Sequence, residues 1–140
     1  MELGITRMDH VSMAVWKLED GLSMFTKLFG MRQVARFENP HAGYNGVTLD
    51  VPGGGAQWEL LEPAGAGGPI SKFLDRRGPG LHHLAFAVQD VSGAAEKSRT
   101  AGFPCVAPGL RTGSRGRRVC FLDPRATHGV LIELVEAGAG

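Results

Sequence analysis

Two stretches of the chain alternate strictly between small or polar and bulky apolar residues. They are MDHVSMAV at residues 8–15 and LHHLAFAV at residues 81–88. A period of two predicts a strand with one face buried. In the first stretch Val11, Met13 and Val15 share one face, and His10, Ser12 and Ala14 share the other. In the second, Leu84, Phe86 and Val88 lie opposite His83, Ala85 and Ala87. The bulky faces are expected to pack beneath helices. The histidine faces carry only small neighbours, which leaves room for something other than protein. Each alternation gives way to helical spacing. In LEDGLSMFTKLFG (residues 18–30), Leu18, Leu22, Phe25, Leu28 and Phe29 fall on one helical face, and Gly30 is placed as a stop. In DVSGAAEKSRTAG (residues 90–102), Asp90 is an N-cap and Val91, Ala94, Ala95, Ser98 and Ala101 form a narrow face before Gly102.

The correspondence continues down the chain. VTLDVP (residues 47–52) is answered by CFLDP (residues 120–124), and GAQWELLE (residues 55–62) by GVLIELVE (residues 129–136). Four ordered matches at offsets of 73 to 74 are the signature of an internal duplication. Each half reads strand, helix, then two or three strands. Between the halves, PISKFLDRRG predicts a short helix with Pro69 in its first turn and Ile70, Phe73 and Leu74 on its buried side. One domain over residues 1–140 is expected, with a first module over about 6–62, a connecting helix over about 69–77 and a second module over about 79–137.

Alternation also sorts the carboxylates. Glu59 shares a face with Gln57 and Leu61, opposite Trp58 and Leu60, and Glu133 shares one with Leu131 and Val135, opposite Ile132 and Leu134. A glutamate in a strand that otherwise reads as core is costly unless it is paired or bound to a metal. The halves thus supply His10 and Glu59, then His83 and Glu133, at separations of 49 and 50. If the modules pack about a pseudo-twofold, the four converge. Two neutral imidazoles and two carboxylates suit a divalent first-row ion, and cobalt, manganese, nickel, zinc and iron all accept that set. With four positions filled, an octahedral ion keeps about two for water or substrate.

Bulk properties narrow the classes. Fifteen basic against fourteen acidic residues give a net charge of +1, which argues against a nucleic-acid partner. No run approaches the roughly 20 apolar residues of a membrane span, and no signal-peptide core opens the chain. Cys105 and Cys120 form neither a CxxC motif nor a disulfide framework, so a cytoplasmic protein is expected, with Cys120 in the core. Glycine is abundant, at 21 residues, and its clusters suggest tight turns between short strands.

The chain resembles the vicinal oxygen chelate superfamily (glyoxalase, bleomycin resistance and dioxygenase proteins) over nearly its whole length, from Met8 to Glu136. Within it the chain is most similar to the methylmalonyl-CoA epimerase family. The resemblance is carried by WELLEPAGAGGPISKFLDRRGPGLHHLAFAV (residues 58–88) and RTGSRGRRVCFLDPRATHGVLIELVE (residues 111–136). It implies an α+β fold, two tandem βαβββ modules forming a cupped mixed sheet, with His10, Glu59, His83 and Glu133 as ligands of a divalent metal. It also implies an isomerase in which the metal chelates a thioester carbonyl and a carboxylate while protein groups remove and return the proton between them. Glu133 would double as one of those groups.

One departure stands out. Epimerases of this type commonly carry a second glutamate after the first helix, and NPHAGYNGVTLD (residues 39–50) has none. Asp50 either faces the cavity as the second proton carrier or, like Asp123, forms a turn at a strand end; the turn is the favoured reading. His41 is a proton carrier or a solvated loop residue. Arg111, Arg115, Arg117 and Arg118 form either a phosphate-binding cluster for an acyl-CoA or a solvated hairpin. His128, in the THG turn before the Glu133 strand, is a turn residue or a substrate contact, and His82 points away from His83. The alternatives to the epimerase are a glyoxalase I-type lactoylglutathione lyase, an epimerase of a cyclitol or hydroxy-ketone, and a non-enzymatic drug-binding resistance protein of the same fold. A small-molecule substrate is the expected partner. Exposed sheet edges suggest a homodimer.

Overall fold

Strand β1 (Ile5–Ala14) begins a computed structural model that describes residues 2–138. The span 1–140 drawn for the domain therefore includes Met1, Ala139 and Gly140, which lie outside the described residues. After β1 come α1 (Leu18–Lys27), β2 (Arg32–Asn39), β3 (Tyr44–Asp50) and β4 (Gln57–Pro63). Helix α2 (Pro69–Arg77) leads to β5 (Gly80–Val88), α3 (Val91–Thr100), β6 (Arg111–Thr112), β7 (Arg118–Phe121) and β8 (Ile132–Glu136). Among the described residues, eight strands and three helices, with parallel and antiparallel pairs, make an α+β fold in which strand, helix and three strands occur twice. Among the same residues, no helix is long and apolar enough to cross a membrane.

The chain divides into two compact units, His10–His82 and Met1–Asp9 with His83–Gly140. Both boundaries fall at the repeated histidines. In the first unit β4 pairs in parallel with β1 and antiparallel with β3, and β2 lines the far side of β3. Helix α1 buries Leu18, Leu22 and Phe25 against Val15, Val47, Leu49 and Leu60, with Met13 and Trp58 alongside. Trp58 packs at a tilt against Phe25, with their ring centroids 5.0 Å apart. Helix α2 covers the other face, packing Ile70, Phe73 and Leu74 onto Ala14 and Leu61. Pro69 occupies its first turn, where a missing N–H costs nothing.

The second unit repeats the scheme with smaller parts. Strand β8 pairs in parallel with β5 and antiparallel with β7, whose outer neighbour β6 has two residues where β2 has eight. Asp90 caps α3 by accepting from Gly93 N at 3.0 Å. Val91 and Ala94 of that helix lie against Val88, Cys120, Leu122 and Leu134.

Two expectations are corrected. Leu28 and Phe29 do not join the core; they are 73% and 50% exposed. The helix ends at Lys27, and the chain turns through Gly30 at φ 67°, so both side chains leave the buried stripe. Ala101, beyond the last turn of α3, is likewise exposed. Nor is the small-residue face vacant along its length. Ala14 lies under α2, and Ala85 and Ala87 are covered by Val119 and Val135. The small residues admit close packing there, and the buried polar side chains of that face are His10 and Ser12 on β1 and His83 on β5.

Candidate active site

The parallel register of β1 and β4 sets His10 opposite Gln57 and Ser12 opposite Glu59. The histidine and the glutamate therefore stand two residues apart on one face. Both are buried, and His10 Nε2 lies 3.9 Å from Glu59 Oε1. Strands β5 and β8 repeat this register, with Ala85 opposite Glu133, and His83 Nε2 lies 3.6 Å from Glu133 Oε1. These two residues are also buried. The edge of Phe121 abuts the His83 ring at 5.2 Å between centroids.

Neither spacing is a hydrogen bond, since both exceed the usual N–H···O range. Both suit two ligands on a common ion. Donors about 2.1 Å from a metal lie about 3 Å apart at a right angle and about 4 Å apart when opposed. An imidazole and a carboxylate in each pair are borderline-to-hard donors matched to a divalent first-row ion, and the carboxylates balance its charge. Each pair fits such an ion.

A buried carboxylate absent from the sequence reading stands one residue before His10. Asp9 is 4% exposed and accepts from Arg117 at both oxygens, 3.0 Å from Nη1 and 2.7 Å from Nη2. Arg7 Nη2 reaches its Oδ1 at 2.7 Å, and Arg115 Nη2 its Oδ2 at 3.5 Å. Three guanidinium groups thus converge on one buried carboxylate. The turn bearing Arg115 and Arg117 is closed by Gly113 N donating to Arg117 O at 2.7 Å. The signal for Asp9 was present in the sequence. A carboxylate in the bulky-residue register of β1 demands a cation, and the glycine-bearing arginine loop is the place to seek it. The rest of that arginine group divides. Arg111 lies over the Phe121 ring at 5.0 Å, and Arg118 is exposed at the start of β7.

Asp50 ends β3 and accepts from Arg32 Nη2 at 2.8 Å and Gln57 Nε2 at 3.1 Å. These hydrogen bonds, Arg32 first, hold its carboxyl below the usual carboxylate range. The turn role favoured for it belongs instead to Asp123, whose Oδ1 accepts from Arg125 N at 2.9 Å. His41 sits in the exposed turn between β2 and β3, and His128 in the exposed turn before β8, at φ 59°. His82 packs edge-on against Phe73 at 5.1 Å. Cys120 is fully buried, and burial, with Cys105 adding to it, pushes its thiol up to about 12, which suits a core residue and not a nucleophile.

Residues 9–121 match the family described as the Glyoxalase/Bleomycin resistance protein/Dioxygenase superfamily. The ethylmalonyl-CoA/methylmalonyl-CoA epimerase of Cereibacter sphaeroides is 32% identical over 93% of this chain and 97% of its own. Among solved structures, the methylmalonyl-CoA epimerase from Mycobacterium tuberculosis superposes with a TM-score of 0.91 at 35% identity, over 99% of this chain and 93% of that one. A variant of the Streptomyces coelicolor methylmalonyl-CoA epimerase in complex with 2-nitronate-propionyl-CoA superposes with a TM-score of 0.88 at 33% identity, over 97% of this chain and 100% of that one. These similarities support an epimerase or isomerase enzyme.

Proposed function

The chain belongs to the glyoxalase/bleomycin resistance protein/dioxygenase superfamily, and from that premise we propose that it is a metal-dependent epimerase acting on an acyl-CoA of the methylmalonyl-CoA type. The observation that carries this reading is the twice-built pair: a buried histidine and a buried glutamate at 3.9 Å in one unit and at 3.6 Å in the other. In this reading His10, Glu59, His83 and Glu133 together hold one divalent ion. When bound, the ion supplies a Lewis acid that draws charge from the carbonyl beside the reacting carbon. Glu133 takes or returns the proton at that carbon through a carboxylate oxygen, in a buried setting where Ala85 and Phe121 flank it. Arg115 and Arg117, oriented by Asp9, and Arg118 and His128 at the exposed turns meet the anionic and phosphate groups of the substrate. For the opposite face of the carbon, Asp50 is a weak base while Arg32 and Gln57 hold it as an anion, and His41 stands on an exposed turn. The chain works as a homodimer in the cytoplasm in this reading.

Deuterium wash-in from heavy water into racemic methylmalonyl-CoA, with cobalt added, tests the proposal. Exchange well above that of Glu133→Ala is expected, since a positioned proton carrier contributes about 10²–10⁴-fold. Exchange no faster than the variant's removes the acyl-CoA reading. A second reading, glyoxalase I-type isomerisation, is favoured by one observation: both repeated pairs carry glutamate, and residues 39–50 offer no further one. Turnover of the glutathione hemithioacetal of methylglyoxal, with no exchange into methylmalonyl-CoA, would select it.

A further inference from the structure

Ser12 is fully buried in β1, directly across from Glu59, and donates its hydroxyl to Glu59 Oε1 at 2.5 Å. That same oxygen lies 3.9 Å from His10 Nε2. A carboxylate oxygen has two acceptor directions. The Ser12 hydroxyl occupies one of them, and the imidazole nitrogen of His10 stands beside the same oxygen. On the opposite flank Thr48, 2% exposed, is the register partner of Glu59. The second unit places Ala85 and Phe121 in the corresponding positions beside Glu133. A short charge-assisted hydrogen bond thus attends one repeated glutamate, and its counterpart position holds a methyl group.

We propose that Ser12 is a positioning residue that fixes the rotation of Glu59, so that it presents one set oxygen to the ion as a permanent ligand. Glu133, which the register sets across from Ala85, keeps the proton-carrying role proposed above. This rests on the reading of His10 and Glu59 as ligands. The arrangement is directional: an outer-shell donor orients a ligand before the ion arrives and lowers the cost of ordering it.

The test is titration of the full chain with cobalt alone, followed by calorimetry and by the visible absorption of the bound ion. Ser12→Ala is expected to weaken cobalt binding about 10–100-fold and to alter the absorption bands. Ser12→Thr, which keeps the hydroxyl, is expected to stay near the parent affinity. Alanine already stands at the matching position of the second unit, so the strand tolerates it, and apo-protein melting separates a folding defect from a ligand defect. Ala85→Ser should leave cobalt affinity intact while slowing isotope exchange. Parent-like affinity in Ser12→Ala, or equal weakening in Ser12→Thr, overturns the proposal. The ligand reading fails separately, if His10→Ala and Glu59→Ala bind cobalt as the parent does.

Discussion

The two halves of the chain set a histidine and a glutamate in the same strand register and surround them with different residues. Ser12 and Thr48 flank Glu59, whereas Ala85 and Phe121 flank Glu133. Ahead of the histidines, Asp9 gathers arginines while His82 leans on Phe73. Helix α1 packs leucine and phenylalanine onto its sheet, and α3 packs valine and alanine. The duplicated register preserves the donors that an ion would need. The flanks have diverged, so the two chemically identical glutamates stand in different surroundings.

The largest effect should come from the packing contrast. Leu60 and Leu134 occupy matching positions and are both fully buried. Beside Leu60 stands Gly21, where a Cβ would meet Leu60 Cδ1 at 2.9 Å; the corresponding helix position in the other half is Ala94. Leu60→Ala therefore opens a void that no neighbouring side chain fills, among Leu22, Phe25 and Leu49. Within the usual range of about 2–5 kcal/mol for such truncations, Leu60→Ala belongs at the upper end and Leu134→Ala at the lower. Urea unfolding of the two variants measures the difference. Equal costs would show that the large-residue and small-residue halves are packed to the same effect.

A smaller effect separates the residues before the histidines. Asp9→Asn removes the charge that draws in Arg7, Arg115 and Arg117. Hydrogen bonds to charged groups contribute about 1.5–3 kcal/mol. With the Arg115 and Arg117 side chains about a quarter exposed, the lower part of that range applies. The functional readout is a rise in KM for the acyl-CoA larger than the fall in kcat, because the arginines lose their orientation and the proton carrier does not. His82→Asn should cost about 1 kcal/mol through its lost contact with Phe73 and leave KM unchanged. An Asp9→Asn enzyme with parent KM would detach the arginine turn from substrate binding.

The parts of this arrangement that were legible in the sequence are those governed by period and register. Alternation sorted each histidine and each glutamate onto a face of its own strand, because side chains along a regular strand alternate. The parallel register then sets each histidine and glutamate on one shared face. Pro69 and the spacing of Ile70, Phe73 and Leu74 pointed to a short helix over about 69–77, and α2 spans Pro69–Arg77. Contacts across the chain were not legible. Asp9 and Arg117 are 108 positions apart, and no local pattern links them. Ser12 registered as a small residue, since its hydrogen bond depends on which β4 residue lies across from it. Leu28 and Phe29 matched the helical stripe and were lost to the turn at Gly30, an element boundary that periodicity does not see.

The mildest contrast lies at the two matching aspartates. Asp50 and Asp123 both have carboxyls held below the usual range, by Arg32 and Gln57 in one case and by the Arg125 side chain and backbone in the other. A folded-state value below the unfolded one means that each aspartate stabilises the fold above the ordinary value of 3.8 and loses that contribution as pH falls through the folded value. The drop in melting temperature between about pH 5 and pH 3 should therefore shrink in Asp50→Asn and Asp123→Asn. It should shrink more in Asp123→Asn. That side chain is 14% exposed against 40% for Asp50, so solvent screens its pair less, and it also holds a backbone N–H in its turn. The reverse order would place the stronger anchor at the end of β3, and Asp50 would then be too firmly held to carry a proton.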